Sequence, residues 1–290
     1  MDGINRPEER LENILSVDPI LSALRSVSQA SMQSARRQLS TVERYGNDLF
    51  ELTAWLPRNV PGLGSGEEEA QPRTLIIALG SDRGLCGTFN SELAEELLNQ
   101  QRKLKSLLRE FETWVLGLRL NTALDHVGIH PDRAERFARG SIPEFQKVHR
   151  LSQMMLEKYQ QGHFDRAVVL FNQHRRGGRF STALKQLLPM NQEELREQAE
   201  EDAWPPPIIE TDPERLLRRL LIQAVEINLF SYMLASSEAE HVTRFHILED
   251  AAQNTDRLIE ELQMEVQLAR QQAITTEMLD LVAAAGLIKS

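Results

Sequence analysis

Residues 211–286 read TDPERLLRRLLIQAVEINLFSYMLASSEAEHVTRFHILEDAAQNTDRLIEELQMEVQLARQQAITTEMLDLVAAAG, and no glycine or proline occurs within residues 214–285. Both residue types disfavour helix interiors, glycine through backbone entropy and proline through its missing N–H. Asp212 suits an N-cap, Pro213 the first helical position and Gly286 a C-cap. The sequence therefore predicts one C-terminal helix of roughly 110 Å at 1.5 Å per residue. A compact domain has no use for so long a rod, so we expect the rod itself to be the functional element.

The second half of this predicted helix carries an apolar seam. Apolar or small residues recur there in alternating steps of three and four, which is typical of a left-handed coiled coil. The seam positions are Phe245, Leu248, Ala252, Thr255, Ile259, Leu262, Val266, Ala269 and Ala273. Such a seam needs a second helix to cover it.

The partner helix is predicted at the other end of the chain. Residues 8–56 carry apolar side chains mostly three and four positions apart, which favours a second long helix. They include Leu11, Ile14, Leu15, Ile20, Leu21, Leu24, Val27, Leu39, Val42, Leu49 and Leu52. Pro19 either begins the main helix, with Asp18 as its cap, or kinks a longer one. We expect the two terminal helices to pack antiparallel as a shaft.

Between these helices, strand and helix patterns alternate. Residues 74–79 form a continuous apolar run that ends in Gly80, which is typical of a buried strand. The remaining predicted elements are strands at 114–118 and 167–171, an added antiparallel strand at 179–184, and helices at 90–108 and 142–161. This alternation predicts a Rossmann-like domain with a mostly parallel sheet.

The predicted fold class is thus α/β plus a long antiparallel coiled coil, and composition divides the chain into five segments. Proline, glycine and like charges oppose regular structure in the linker, and an acidic run followed by prolines marks the connector. The segments are an N-terminal coiled-coil helix (1–56), the linker (57–72), the inserted α/β domain (73–190), the connector (191–210) and the C-terminal coiled-coil helix (211–290).

Composition excludes several classes of protein. A hydrophobic content of 41% is globular, and a net charge of −10 argues against a nucleic-acid partner. The single cysteine, Cys86, excludes an internal disulfide framework and fits a reducing compartment. The N-terminus lacks the charged-then-apolar pattern of a signal peptide. No stretch of 18 apolar residues occurs, so no membrane-spanning segment is expected.

The segment after the first predicted strand, residues 81–87, is the first candidate site. Glycine turns after a strand can bind phosphate, but the spacing is not Gly-x-Gly-x-x-Gly, and a structural turn is the alternative. Asp82 and Arg83 would then fix the turn or contact a neighbouring subunit. Cys86 has no histidine near it in sequence, so a small buried hydrophobe is the alternative to a nucleophile.

Other candidate groups lack the spacing of a chemical site. His241 and His246 are five residues apart and do not share a helical face well, so solvated positions are preferred to metal ligation. The basic segment 174–179 is either a contact for phosphate or anionic lipid or an exposed turn between strands. The residues therefore predict no catalytic, cofactor-binding or metal site.

Four separated motifs occur in the order of a known family. Ser81-Asp82-Arg83-Gly84-Leu85-Cys86-Gly87 follows a strand, and Glu210-Thr211-Asp212-Pro213 opens the last helix. Within that helix stand Glu240, Arg244-Phe245 and Asn254, then Ala269-Arg270-Gln271, Ile274-Thr275 and Glu277. On these motifs the sequence resembles the gamma subunit of F-type ATP synthases, over most of the chain.

The resemblance implies a central-stalk rotor shaft without a catalytic site of its own. It implies one copy per complex, together with alpha- and beta-type head subunits, an epsilon-type subunit and a membrane c-type ring. The complex would couple ATP synthesis or hydrolysis to ion transport. The chain would be peripheral, on the cytoplasmic face of the bacterial inner membrane, and would carry no cofactor. By resemblance, the residues expected to contact partners are Arg270, Gln271, Ile274, Thr275, Glu277, Arg244, Asn254, Asp82 and Arg83.

Departures from the family pattern keep two questions open. The stretch Ile20–Arg25 lacks the two lysines of the family's first helix, so the sequence does not separate a housekeeping subunit from a paralogue in a second rotary ATPase. The alternative function is an α/β ligand-binding or enzymatic domain with a coiled-coil dimerisation arm. Against it stands the lack of an acid–base, metal or phosphate constellation in residues 73–190.

Overall fold

The computed structural model describes residues 2–59, 73–175, 179–190 and 209–284. Two helices at the ends of the chain dominate it, α1 (Asp2–Asn59) and the last helix, α5 (Pro213–Ala284). The chain divides into two units. One unit consists of residues 29–244, and the other pairs residues 1–28 with residues 245–290.

The larger unit is built on a five-stranded sheet. Its strands are β1 (Thr74–Leu79), β2 (Phe111–Leu116), β3 (Arg133–Glu135), β4 (Arg166–His174) and β5 (Phe180–Leu188). The spatial order is β3-β2-β1-β4-β5. All neighbouring pairs are parallel except β4 and β5, which are antiparallel. The predicted mostly parallel sheet with one added antiparallel strand is therefore confirmed.

Each central strand is buried on both faces because helices cover both sides of the sheet. Leu75, Ile77 and Leu79 point into one core layer, which includes residues of α4 (Phe145–Gln160) and α5. Ile76 and Ala78 point into the other layer, with α2 (Phe89–Ser106) and α3 (Leu118–His126). The two-residue period of a strand thus explains why the whole run 74–79 is apolar.

The first helix continues through Pro19. The possibility that the main helix begins there is therefore wrong, and the longer helix is the one observed. Residues 57–59 also belong to α1, so the first three positions of the predicted linker are helical. The rest of that linker, 60–72, and residues 191–208 of the predicted connector lie outside the described residues.

Several boundaries in the sheet unit correct the sequence prediction. The strand expected at 114–118 spans Phe111–Leu116, because Gly117 turns the chain at a φ of 131° into α3. Both α3 and β3 were missed. The strand β3 is a three-residue edge strand, Arg-Ala-Glu, too short and too polar to give a period-two pattern.

The start of α5 agrees with the expected cap. The Asp212 carboxylate accepts a hydrogen bond from the Arg215 backbone N–H at 3.1 Å. By length and composition alone, α5 contains an apolar stretch that could span a membrane. In this structure 56% of that stretch is buried within the protein. Its Val225, Leu229 and Met233 lie in the sheet core, which explains the apolar composition.

Candidate functional site

The turn after β1 is held by its own side chains. The Ser81 backbone N–H donates to Asn90 Oδ1 at 2.9 Å, and Asn90 Nδ2 donates to Ser81 Oγ at 2.8 Å. Ser81 Oγ in turn donates to the Arg83 carbonyl. Asn90 is therefore buried in the turn and does not cap α2, which begins one residue earlier, at Phe89.

Asp82 fastens this turn to two other loops at the carboxyl edge of the parallel strands. Its Oδ1 accepts the backbone N–H groups of Leu118 at 3.0 Å and Phe137 at 2.9 Å. Its Oδ2 accepts the N–H of Ala138 at 3.0 Å. Backbone amides at this edge are the groups that bind phosphate in nucleotide-binding sheets. Here a carboxylate of the chain itself already occupies three of them, which favours the structural-turn interpretation.

Arg244 on α5 holds the same turn through two of its backbone carbonyls. Its Nε donates to the Gly84 carbonyl at 3.0 Å, and Nη2 donates to the Arg83 carbonyl at 3.3 Å. Nη2 also pairs with Glu240 Oε1 at 2.5 Å, and both side chains of this ion pair are less than a tenth exposed. We call Glu240, His241 and Arg244 the Arg244 node.

His241 completes the node as a neutral imidazole. Its Nε2 donates to the Ser141 carbonyl at 2.6 Å, so its Nδ1 is left to accept from Arg244 Nη1 at 3.2 Å. Burial lowers the pKa of His241 to about 4, and the Arg244 charge acts in the same direction. His241 is 4% exposed, so the expectation that it occupies a solvated position is wrong, whereas His246 is exposed as expected.

This lowered pKa gives a testable dependence of stability on pH. Because the unfolded imidazole binds a proton near pH 6.5 and the folded one only near 4, stability is lost as the pH falls through that window. Between pH 7 and 5 the loss from this one group is about 2 kcal/mol. We expect His241→Gln to remove this part of the dependence, measured as urea unfolding at both pH values.

The test compares the pH dependence of stability in the wild type with that in His241→Gln, because protonation of Glu240 also changes stability with pH. Burial raises the pKa of Glu240 and Arg244 opposes the rise, so protonation of this carboxyl offsets part of the His241 effect. Glu240 is present in both proteins, and its contribution largely cancels in their difference. Equal slopes for the wild type and the variant would contradict the assignment.

Cys86 belongs to the buried interior of the turn. It is 3% exposed, and its Sγ lies 3.5 Å from both Ser81 Oγ and Asn90 Nδ2. Burial raises the pKa of the Cys86 thiol, while the Ser81 hydrogen bond lowers it. A buried thiol with a raised pKa is a poor nucleophile, so the small-hydrophobe interpretation is the better one.

The smaller unit is an antiparallel helix pair with a closed seam. Every predicted seam position from Phe245 to Ala273 is buried or half-buried, and from residue 252 to 281 no other position is. Arg25 pairs with Glu249 at 3.0 Å, and Arg270 pairs with Glu8 at 2.6 Å. Residue numbers rise along one helix as they fall along the other, so the predicted antiparallel coiled coil is confirmed.

The first helix presents two apolar stripes in this unit, and only one lies on the seam. Leu11, Ile14 and Leu21 are half-buried. A second stripe points to solvent, and its members are Val17, Ile20, Leu24 and Val27, between 38% and 59% exposed. On α5 the exposed apolar residues include Ile274, Met278 and Leu281.

The residues predicted to contact partners fall into different environments. Gln271, Ile274, Thr275, Glu277 and Asn254 are exposed on the helix pair, and Arg270 is exposed apart from its pair with Glu8. Arg83 is exposed in the larger unit, whereas Asp82 is half-buried and Arg244 is buried in the bonds described above. Sequence reasoning did not find Glu8 because its partner is 262 residues away.

The basic segment 174–179 is described only in part. Arg175 Nε donates to Ser181 Oγ at 2.8 Å beside β5. Residues 176–178 lie outside the described part of the chain, so an anion contact there stays a prediction.

Comparison with known proteins identifies relatives along essentially the whole chain. The ATP synthase family model matches residues 4–286. The ATP synthase gamma chain of Geobacter metallireducens is 27% identical over 292 positions, covering all of both chains. That of Flavobacterium psychrophilum is 25% identical over 293 positions with the same coverage.

Two solved assemblies contain chains of similar fold. A chain of the Euglena gracilis mitochondrial ATP synthase OSCP/F1/c-ring, rotational state 3, has a TM-score of 0.60 and 16% identity, over 98% of this chain and 94% of that one. A chain of the Tetrahymena thermophila mitochondrial ATP synthase central stalk and c-ring has a TM-score of 0.56 and 18% identity, over 80% and 99%. At these identities the likeness concerns the fold alone.

Proposed function

Because this chain belongs to the ATP synthase gamma family, we propose that it is the central-stalk rotor subunit of an F-type ATP synthase or ATPase. Its partners are then an alpha- and beta-type head, an epsilon-type subunit and a c-type ring. We infer one copy per complex, without a catalytic site of its own, peripheral to the cytoplasmic face of a bacterial inner membrane.

The observation that carries the proposal is that one chain closes its own coiled coil. Leu262 and Val266 on α5 are 3% and 6% exposed in the single chain, and both belong to the unit that pairs residues 245–290 with residues 1–28. A dimerisation arm would instead leave its seam open until a second copy bound. The closed seam therefore favours the rotor over the alternative of an α/β domain with a dimerisation arm.

The outward apolar surface fits a rotor surrounded by other subunits. Both helices of the smaller unit expose rows of large apolar side chains, on α1 at 17, 20, 24 and 27 and on α5 at 274, 278 and 281. Exposed apolar side chains in rows, in contrast to scattered single ones, favour an interaction site. A head that packs against these rows differently at each rotor angle would bind nucleotide with angle-dependent affinity, and this is how binding free energy becomes torque.

Rotation is the direct test of the proposal. A complex with alpha- and beta-type subunits would carry Ser106→Cys, an exposed position at the end of α2, for attachment of a bead. Cys86 is buried and does not compete for the label. We expect ATP to drive unidirectional rotation of the bead, and the purified chain alone to hydrolyse no ATP. ATP hydrolysis by the complex with a stationary bead, or by the chain alone, would overturn the proposal.

Arg270 gives a prediction for a single contact. Its pair with Glu8 is exposed, with 63% and 38% of the two side chains accessible. Such a surface pair contributes at most about 1 kcal/mol, so Arg270→Ala should leave folding intact. If Arg270 is one of the few residues that dominate the contact with the head, and so contributes about 1–2 kcal/mol, its loss should reduce ATP-driven ion pumping about tenfold.

Glu8→Ala is the matched control for Arg270→Ala. It breaks the same pair and leaves the arginine in place. Unchanged pumping in this control with reduced pumping in Arg270→Ala supports a partner contact. Equal losses in the two variants would assign the effect to the pair within the chain.

A further inference from the structure

A basic cavity at the end of β3 is not explained by the rotor function. It has a volume of about 460 Å³ and lies between the residues that follow β3 and the first turns of α4. Four of its lining side chains are cations, Arg136, Arg139, Lys147 and Arg150, against the two carboxylates of Glu135 and Glu144. This local excess of positive charge stands out in a chain whose net charge is −10.

The cations are not neutralised by the protein. Glu135 alone is shared by Arg133 at 2.5 Å, Arg150 at 3.1 Å and Lys147 at 3.9 Å. Within the described residues, the Arg136 and Arg139 guanidinium groups form no ion pair with a carboxylate. Glu135 is thus shared by three cations, and Arg136 and Arg139 have no carboxylate partner within the described part of the chain. Even with Glu144, the lining keeps an excess of positive charge that a negatively charged ligand would balance.

Lys147 shows that the cluster is more than a solvated surface. Its side chain is only 14% exposed, and its Nζ donates to the Arg136 carbonyl. Burial lowers the pKa of Lys147, and the charges of Arg150 and Arg133 act in the same direction, against the opposing charges of Glu135 and Asp82. A bound anion would add to the negative charge of Glu135 and Asp82 and stabilise the ammonium form of Lys147 further.

The position in the fold also suits an anion. The cavity lies at the carboxyl edge of the parallel strands, the edge at which α/β sheets bind ligands, because β3 ends at Glu135 beside it. It is at the edge strand and separate from the switch point between β1 and β4. The cavity lies at the start of α4, whose first turn contains no acidic residue and whose Glu144 cap makes no side-chain hydrogen bond. The positive end of that helix dipole adds to the field of the four cations, and the Glu144 carboxylate at the cap offsets part of it.

We propose that this cavity, lined by Arg136, Arg139, Lys147 and Arg150, binds a phosphate-bearing anion. Arginine forks match the oxygens of a phosphoryl group in pairs, and a cavity lined mainly by charged groups suits a compact polyanion. The phosphoryl group could belong to a free di- or polyphosphate or to a lipid headgroup. The chemistry of recognition is the same in both cases.

The test is binding of inorganic pyrophosphate to the purified full chain, by calorimetry at constant ionic strength. We expect saturable binding and a dose-dependent rise in Tm. Arg136→Gln with Arg139→Gln should weaken binding at least tenfold. The matched control is Arg218→Gln with Arg219→Gln, which removes two exposed arginines of α5 and should bind like the wild type.

Vesicles distinguish the two sources of the phosphoryl group. Co-sedimentation with phosphatidylglycerol vesicles, abolished by the Arg136/Arg139 double variant and by pyrophosphate, would assign the site to a lipid headgroup. Pyrophosphate binding without vesicle binding would assign it to a free phosphate. Absence of saturable pyrophosphate binding, or equal weakening in both double variants, would overturn the proposal. None of these readouts depends on rotation.

Discussion

Arg244→Ala is expected to destabilise the unit formed by residues 29–244 by about 3–5 kcal/mol, the usual effect of removing one partner of a buried ion pair. The substitution leaves the Glu240 carboxylate buried without its cation. It also leaves the carbonyls of Arg83 and Gly84 without their donor. The turn after β1 would then lose its attachment to α5, and stability with it.

Urea unfolding followed by tryptophan fluorescence measures this effect, because Trp114 is buried in the core of the same unit. Arg218→Ala is the matched control, an exposed arginine on the same helix that should change stability by less than about 0.5 kcal/mol.

A double variant isolates the cause of the loss. Arg244→Met combined with Glu240→Leu removes both charges but still leaves the carbonyls of Arg83 and Gly84 without their donor. We therefore expect it to recover only the part of the loss that comes from the unpaired Glu240 carboxylate. A loss below about 1 kcal/mol in Arg244→Ala would show that the node does not hold the turn.

Gly117→Ala is expected to cost about 3 kcal/mol or more, or to prevent folding. Gly117 has a φ of 131°, which residues with a Cβ adopt only under strain. An added Cβ would lie 2.6 Å from the Gly80 carbonyl carbon and 2.8 Å from its oxygen. These backbone atoms belong to Gly80, directly after β1, and its N–H donates to the Leu116 carbonyl of β2 at 2.8 Å. They cannot move aside without disturbing the sheet, so the clash cannot be relieved locally.

Alanine variants of two other glycines distinguish the effect of backbone strain at positive φ from the effect of a steric clash of the added Cβ. At Gly128 the φ is 72° but an added Cβ would meet nothing within 4 Å, so Gly128→Ala should cost only about 1 kcal/mol. At Gly140 there is open space and no positive φ, so Gly140→Ala should be nearly neutral. Urea unfolding of the three variants should rank them in this order. A Gly117→Ala protein as stable as Gly128→Ala would contradict the collision.

The helices and most strands were accessible from sequence because their patterns are local. The absence of glycine and proline in residues 214–285 and the seam from Phe245 to Ala273 correctly predicted α5 and its coiled coil. The apolar run 74–79 predicted β1. By contrast, β3 escaped prediction because a three-residue polar edge strand has no period to detect.

The first helix illustrates the limit of a pattern. Its apolar residues were found, but periodicity alone did not assign Leu21 to the seam and Ile20 to solvent. Adjacent residues on a helix lie about 100° apart, since a turn holds 3.6 residues. A helix with two apolar stripes can therefore present either one to its partner, and the partner decides which.

The sequence by itself determined that this chain has long terminal helices with a self-complementary seam, a mostly parallel sheet and the motifs of a rotor family. Only the tertiary structure decided what its polar side chains do. Asp82 holds amides of residues 118, 137 and 138, and Arg244 holds a turn 160 residues away. Cations from the segment after β3 and from α4 surround one cavity. Periodicity records the neighbours of a residue along one helix or strand, whereas these contacts exist only once folding has brought distant segments together.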